Sequence, residues 1–597
     1  MRTPIRGYGR VCLFVVLGGL LAGPAFAGNP HTPAQCPAFV QEPVIKRTEL
    51  ATGTRGNDAN LLLRFIHLTD DHIIDDDGQA VVGLSVIDPL NVQFESAMRF
   101  QEEYSDEVLN DLEGRINQCT AQYPAEFSIV TGDSADLTTV GEIRRFIDNL
   151  DGTYDQISRF EKDCRAGQGP LVLEPVLQQL CTRFTGRGVA DTQTVDPDPS
   201  HLLYQPLATR TVLQLKATEA AALTGRAADG SINPLRQTVT RAPGLPQSLR
   251  CNWDKAGCQN NRLSTPYYMV FGNHDGYVRG TLPLDLGINE AAAAFGRRFM
   301  TRQSDFVKEF FHTKATPGPV GHGFNFVEPA RLNDANDRND GYYAFDAGGG
   351  RFRMIVINTI IDGVDPRIPT DLLRNPAALA DGGIDRVQFQ WLDAQLASAR
   401  AAGKIVMVFS HHPDLTFAEF GTFASLVPIE VPVAELDALL ASYPNVIAWV
   451  AGHTHRHRIR PFVVTTTTDD QGVVSSIGTN QAITTAVTCK GPAGACRGFW
   501  QIESASLIDW PQEQRLVEIF DNRDGTGTIR GPILGHGLAK PKTLAEADDR
   551  CALYLADPAT AEALLSEADL GVLCAQGGTR VGTPADRNVE LIFRMPS

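Results

Sequence analysis

The stretch "VIAWVAGHTHRHRIR" (446–460) places His453, His455 and His457 at every second position behind an apolar run, in a 597-residue chain with thirteen histidines. On an extended backbone, a period of two sends all three imidazoles to one side. Four more short clusters offer groups of the same kind. "TDDH" carries Asp70 and His72, "TGDSAD" carries Asp133 and Asp136, "FGNHD" carries Asn273, His274 and Asp275, and "SHHPD" carries His411 and His412. Carboxylate, amide oxygen and imidazole together suit borderline divalent ions such as Zn²⁺, Mn²⁺ and Fe²⁺, whereas Ca²⁺ favours oxygen alone. One histidine behind a strand is usually an ordinary core or surface residue. Five clusters in the same kind of place call for a metal centre. His201, His312, His322 and His536 stand alone and read as ordinary residues.

Positioning these groups falls to six apolar runs of strand length: 60–69, 126–131, 267–271, 352–358, 404–410 and 445–451. Five of them end on one of the polar clusters. Between runs lie helix-period segments such as "DRVQFQWLDAQLASARAAG", where Val387, Trp391, Leu392 and Leu396 repeat at helical spacing and Gly403 closes the helix. Strand, polar loop, helix and strand in succession predict an α/β fold with its site at the carboxyl ends of the strands. The stretch 140–262 breaks the rhythm with "DTQTVDPDPS" and "RAPGLPQ" and reads as an insertion, either a lid beside the site or a solvated excursion. After 460 come further strand-like runs with Gly, Asp and Asn turns, expected to form a second sheet behind the first. Residues 541–597 read as a helical tail.

The first 27 residues have a basic start, the apolar stretch "VCLFVVLGGLLAG" and then "PAFA", the pattern of a cleaved secretory leader. That stretch is shorter than the roughly 18 residues a spanning helix needs, so no stable membrane anchor is expected. The mature chain, from about 28, should therefore be secreted or periplasmic. Of eleven cysteines, Cys12 leaves with the leader, and ten remain for disulfides. Cys251/Cys258, Cys489/Cys496, Cys551/Cys574 and Cys164/Cys181 would close short loops, leaving Cys36 with Cys119. Without Arg2, Arg6 and Arg10 the chain has 50 basic against 70 acidic residues, a balance of −20. Such a surface repels phosphate backbones and anionic lipid, so nucleic acid is not an expected partner.

In order along the chain, Asp70-x-His72, Gly132-Asp133-x-x-Asp136, Gly272-Asn273-His274-Asp275, His411 and Gly452-His453-x-His455 resemble the motif set of the calcineurin-like metallophosphoesterase superfamily. The blocks span roughly 60 to 460, and "DGYYAFDAGGGRFRMIVINT" and "FQWLDAQLASA" also look like its core elements. The resemblance implies a four-layer α/β/β/α sandwich over 28–540, here with a large insertion and the helical tail, and two adjacent divalent ions. Asp70, His72 and His455 would hold the first ion, Asn273, His411 and His453 the second, and Asp133 would bridge both. His457 would then be a rim or supporting residue, and Asp136 a hydrogen-bonding residue of the loop turn.

The same resemblance implies hydrolysis of a small phosphorylated substrate, a monoester or a diester. Paired ions lower the pKa of a bridging water and neutralise charge on the phosphoryl oxygens. His274 would protonate the leaving oxygen, with Asp275 holding its imidazole. Purple acid phosphatases carry a tyrosine in the second block, where this chain has Ala135 and Asp136, so a coloured ferric site is not expected. Two alternatives stay open: a diesterase for nucleotides or lipid headgroups, with Tyr204, Trp253, Tyr267 and Tyr277 as aromatic walls, or a non-catalytic metal-binding module. The latter predicts missing ligands, and none is missing.

Overall fold

The structure is a computed structural model that describes residues 36–73, 104–136, 138, 140–151, 262–277, 280, 306–307, 309–310, 318–319, 321–327, 341–360, 380–417, 431–466, 471–476, 484–491, 496–539, 541–542, 545–546 and 580–596. The described strands form two eight-stranded mixed sheets. The first contains β1 (Ile45–Arg47), β2 (Asn60–Leu68), β3 (Phe127–Val130), β4 (Tyr267–Met269), β13 (Glu513–Asp521), β14 (Thr526–Gly531), β15 (Ile533–Gly535) and β16 (Val589–Arg594). Its order is β1-β16-β14-β13-β2-β3-β4, with β15 beside β13. The second contains β5 (Tyr343–Ala347), β6 (Phe352–Val356), β7 (Ile405–Phe409), β8 (Val446–Ala451), β9 (Arg458–Thr466), β10 (Gln471–Ser476), β11 (Thr484–Thr488) and β12 (Phe499–Glu503). Its order is β11-β10-β9-β12-β8-β7-β6-β5. The expected α/β class is borne out, and all six apolar runs contain a strand: β2, β3, β4, β6, β7 and β8.

Each sheet has a parallel block, β2-β3-β4 at one end of the first and β6-β7-β8-β12 in the middle of the second. Strands buried on both faces need apolar residues at every position, which is why these runs do not alternate. In β7, Ile405, Met407 and Phe409 join the core shared with the first sheet. Val406 and Val408 instead pack with helices α4 (Arg386–Ala401) and α5 (Val433–Ser442). Across the two sheets Phe65 meets Phe409 edge to face at 5.7 Å, and Phe127 meets Phe345 at 5.4 Å. Fully burying one such phenylalanine contributes about 1.5–3 kcal/mol.

Helix α4 begins where Asp385 accepts a hydrogen bond from the Gln388 N–H at 2.6 Å, and Gly403, at φ +66°, follows its end. Leu392 and Leu396 are buried as the spacing requires, but Val387 faces outward at 65% exposure. In the same turn Gln388 is buried instead, its amide bonding the backbone of Asn358 at 2.7 and 2.8 Å.

Three expectations about organisation need correction. The strands after 460 do not form a sheet of their own. β12 pairs in parallel with β8 and β13 pairs antiparallel with β2, so late strands extend both existing sheets. The start of the supposed insertion is core: helix α2 (Val140–Asp151) buries Ile143, Phe146, Ile147 and Leu150 and packs against α1 (Ser105–Thr120). The end of the supposed helical tail is β16, inserted between β1 and β14, where Val589, Leu591, Ile592 and Phe593 are buried. The rest of the insertion, most of the tail and the leader lie outside the described residues. Cys36–Cys119 and Cys489–Cys496 are disulfide-bonded as expected, and the other three pairs lie outside the described residues.

Candidate metal centre

The candidate ligands sit just beyond the carboxyl ends of five parallel strands. Asp70 and His72 follow β2, Asp133 follows β3, and the helical turn α3 (Asn273–Gly276) follows β4. His411 follows β7, and His453 and His455 follow β8. The expected extended backbone at 453–457 is not what places the histidines. β8 ends at Ala451, and His453 and His455 have φ of +67° and +53°. Asp70, His72 and Asp133 are also left-handed, at +54°, +45° and +54°. Non-glycine residues enter this region at a cost of about 1–3 kcal/mol, and such strain gathers where function demands it. Five of the seven candidate ligands carry it. Close loop contact adds to the demand: a Cβ on Gly452 would lie 1.9 Å from Thr69 Oγ1 and 2.5 Å from Asp70 Oδ2.

On one side of the centre, His72 Nδ1 lies 3.0 Å from Asp136 Oδ1, and His455 Nδ1 lies 2.5 Å from Asp509 Oδ2. Carboxylates accept, so both Nδ1 atoms carry the proton and both Nε2 atoms offer lone pairs. Those Nε2 atoms face each other at 3.2 Å. His455 Nε2 is also 3.2 Å from Asp70 Oδ1, and His72 Nε2 is 3.5 Å from Asp133 Oδ2. Four acceptors thus point at one small volume, with their ligand atoms within 4.8 Å of one another.

The other side repeats the pattern with less charge. His411 Nδ1 donates to the Thr131 carbonyl at 2.8 Å, which leaves Nε2 as an acceptor 2.7 Å from Asn273 Oδ1, 3.2 Å from Asp133 Oδ2 and 3.2 Å from His453 Nδ1. The Asn273 amide is oriented by its NH₂ group, which donates to the Gly280 carbonyl at 3.1 Å. Trp449 Nε1 donates to Ser410 Oγ, and that hydroxyl donates to the His412 carbonyl, both at 2.7 Å, pinning the turn that carries His411. Lone pairs this close repel unless a cation lies between them, so the donor set fits divalent metal on both sides.

Asp133 stands between the two sides. Burial works against its charge, but His411 and then His274 hold its carboxyl well below the usual range. Its Oδ1 accepts from the His274 backbone N–H at 2.8 Å, and its Oδ2 faces both sides.

The structure shows what the neighbouring histidines do. His412 approaches His453 with ring centroids 4.2 Å apart, but both its nitrogens are engaged, Nδ1 with Thr359 Oγ1 and Nε2 with the Ala380 carbonyl, each at 2.9 Å. His457 is not a rim residue. It is fully buried, its Nδ1 accepts from the Ala505 N–H at 3.2 Å, and Arg515 stands 3.3 Å away. Asp136 does serve the loop, and more specifically it backs His72.

Asp275 does not hold the His274 ring as expected. Third in its helical turn, its carboxylate folds back onto backbone N–H groups of Gly272, Asp133, Ser134 and Ala135 at 2.9–3.2 Å. His274 Nδ1 instead meets the Asp136 carbonyl at 2.9 Å, directing Nε2 the other way. The His274 side chain keeps 10% exposure, whereas those of His72 and His411 have none. Two aromatic candidates for a substrate wall, Tyr267 and Tyr277, are buried in the core; Tyr204 and Trp253 lie outside the described residues. Asp509 went unnoticed in the sequence, since no local pattern marks a carboxylate fifty-four residues from its histidine.

Fold and site together define an α/β protein with a cluster of candidate metal ligands on its strand-end loops. Residues 244–457 match the calcineurin-like phosphoesterase family, bearing out the resemblance read from the motifs. That span holds the last three motif blocks, and the fold brings Asp70, His72 and Asp133 to them from outside it. Among solved structures, a dimetal phosphatase from Danio rerio is similar at 11% identity and TM-score 0.30, over 80% of this chain and 100% of that one. A purple acid phosphatase from yellow lupin (Lupinus luteus) seeds is similar at 10% identity and TM-score 0.29, over 79% of this chain and 51% of that one. The search of curated proteins found no match.

Proposed function

We propose that this protein is a secreted phosphoester hydrolase that works with two divalent ions. The first is held by Asp70, His72 and His455, the second by Asn273, His411 and His453, and Asp133 is shared. The observation that carries this reading is the convergence of ligand atoms on each side, above all Asp70, His72, Asp133 and His455 within 4.8 Å of one another and His411 Nε2 beside Asn273 Oδ1 at 2.7 Å, an arrangement that a divalent ion stabilises. Bound ions of this kind supply positive charge for phosphoryl oxygens and make water a better nucleophile at neutral pH. The protein's own contribution is position. Asp136, Asp509 and Thr131 aim the imidazoles, the Gly280 carbonyl aims the amide, and burial excludes bulk water. His274, its Nδ1 proton committed to the Asp136 carbonyl, is the group that gives a proton from Nε2 to the leaving oxygen.

The substrate class is a small phosphate ester. Purified protein loaded with Zn²⁺ or Mn²⁺ should hydrolyse p-nitrophenyl phosphate or bis-p-nitrophenyl phosphate and lose that activity to chelator; which of the two is turned over separates monoesterase from diesterase. Failure on both after metal loading would refute the hydrolase reading. His274→Ala should retain its full metal content yet turn over esters with poor leaving groups roughly 10²–10⁴-fold more slowly. Activated p-nitrophenyl esters should suffer less, and loss of metal from this variant would make His274 a ligand instead.

A further inference from the structure

The carboxyl-terminal segment reaches the metal centre through two side chains. Asp509, 2% exposed, accepts from His455 Nδ1 at 2.5 Å. The same oxygen lies 3.2 Å from Arg580 Nη1. Arg580 is tied by its backbone as well, its carbonyl accepting from the His457 N–H at 3.0 Å, two residues beyond the imidazole it supports. The loop bearing Asp509 is fastened to another candidate ligand, since the N–H groups of Leu507 and Ile508 both reach the Asp70 carbonyl, at 3.1 and 3.3 Å. The Asp509 N–H is itself satisfied by Ser506 Oγ at 2.9 Å.

We propose that Asp509, held by Arg580, is a positioning residue that fixes the His455 tautomer and ring orientation, and so sets how tightly the Asp70–His72–His455 side binds its ion. This rests on the dinuclear reading above. An imidazole between two carboxylates has one proton to place while neutral. Asp509 takes it at Nδ1, so Nε2 keeps its lone pair toward Asp70 Oδ1 and His72 Nε2. Without Asp509 the proton is free to sit on Nε2, where it blocks ligation, and the ring is free to rotate. The support is one-sided, because His411 leans on a backbone carbonyl that no side-chain substitution removes.

The test is Co²⁺ titration of chelator-stripped full-length protein, followed by calorimetry and by the visible absorption of bound cobalt. In wild type two binding events are expected. Asp509→Ala should weaken one of them by about 10–100-fold and shift its cobalt absorption, leaving the other in place. Asp509→Asn, whose amide oxygen still accepts from Nδ1, should restore most of the affinity, and Arg580→Ala should weaken the same event less. Both events unchanged in Asp509→Ala, or both weakened equally without rescue by asparagine, would overturn the positioning role while leaving the dinuclear reading intact. Absence of cobalt binding to wild type would remove that reading and this inference together.

Discussion

Asp133 is the side chain on which the proposed centre turns, because among the described residues it is the carboxylate that faces both groups of acceptors. Its Oδ2 lies 3.2 Å from His411 Nε2 and 3.5 Å from His72 Nε2. Asp133→Asn preserves shape but gives up the charge that two neighbouring cations need between them. Affinity on both sides should fall by more than the roughly 10–100-fold that loss of an outer-shell partner costs. Metal analysis after dialysis checks this directly, and retention of two ions per chain would show that Asp133 does not bridge. By contrast, His412 has both ring nitrogens hydrogen-bonded within the protein, and His457 is fully buried with its Nδ1 bonded to the Ala505 N–H. His412→Asn should therefore leave the metal stoichiometry at its wild-type value, and a chain that lost one ion would reassign the second side.

The supporting elements contain groups that oppose folding at neutral pH. On α5, Asp437 is fully buried and neither of its carboxylate oxygens has a hydrogen-bond partner among the described residues. Burial pushes its carboxyl well above the ordinary value of 3.8. The sign follows from proton binding. Below 3.8 folded and unfolded chains both hold the proton, whereas above it the unfolded chain releases the proton first, so stability drains away as pH rises toward the folded value. Asp437→Asn should accordingly stabilise the protein by about 1–3 kcal/mol near pH 8 and by less near pH 5. Urea unfolding at the two pH values reads the difference, and equal effects at both would mean that the aspartate is not titrating there.

At the scale of the whole molecule, the two ends of the described chain close the first sheet. β1 pairs in parallel with β16, and the Cys36–Cys119 disulfide ties the segment before β1 to the end of α1 across 83 residues of sequence. A cross-link over so long a loop typically stabilises by about 2–5 kcal/mol. Replacing both cysteines with serine should lower the urea midpoint of the full chain, and an unchanged midpoint would show that the β1–β16 pairing holds the terminus without the bond. Since Arg580 precedes β16, loosening this closure should also weaken the metal side that Asp509 supports.

What the amino-acid sequence determined by itself was whatever neighbours in the chain decide. Six strands were legible because a strand buried on both faces must be apolar throughout, and the polar clusters after them were legible because metal ligation restricts residue type. Asp70, His72, Asp133, Asn273, His411, His453 and His455 all came from that local signal. The tertiary structure decided what depends on groups far apart in sequence: that late strands enlarge both sheets, that β16 belongs to the first, and that Asp509 and Arg580 stand behind His455. It also replaced the extended backbone at 453–455 with left-handed turns, because loop direction at a crowded strand end is set by packing against Thr69 and Asp70 rather than by local propensity. Hydrogen-bond partners of this kind leave no periodicity along the chain, so the motif resemblance could favour His411 over His412 but only the structure showed what occupies the His412 nitrogens, and that Asp275 turns to backbone N–H groups while Asp136 backs His72.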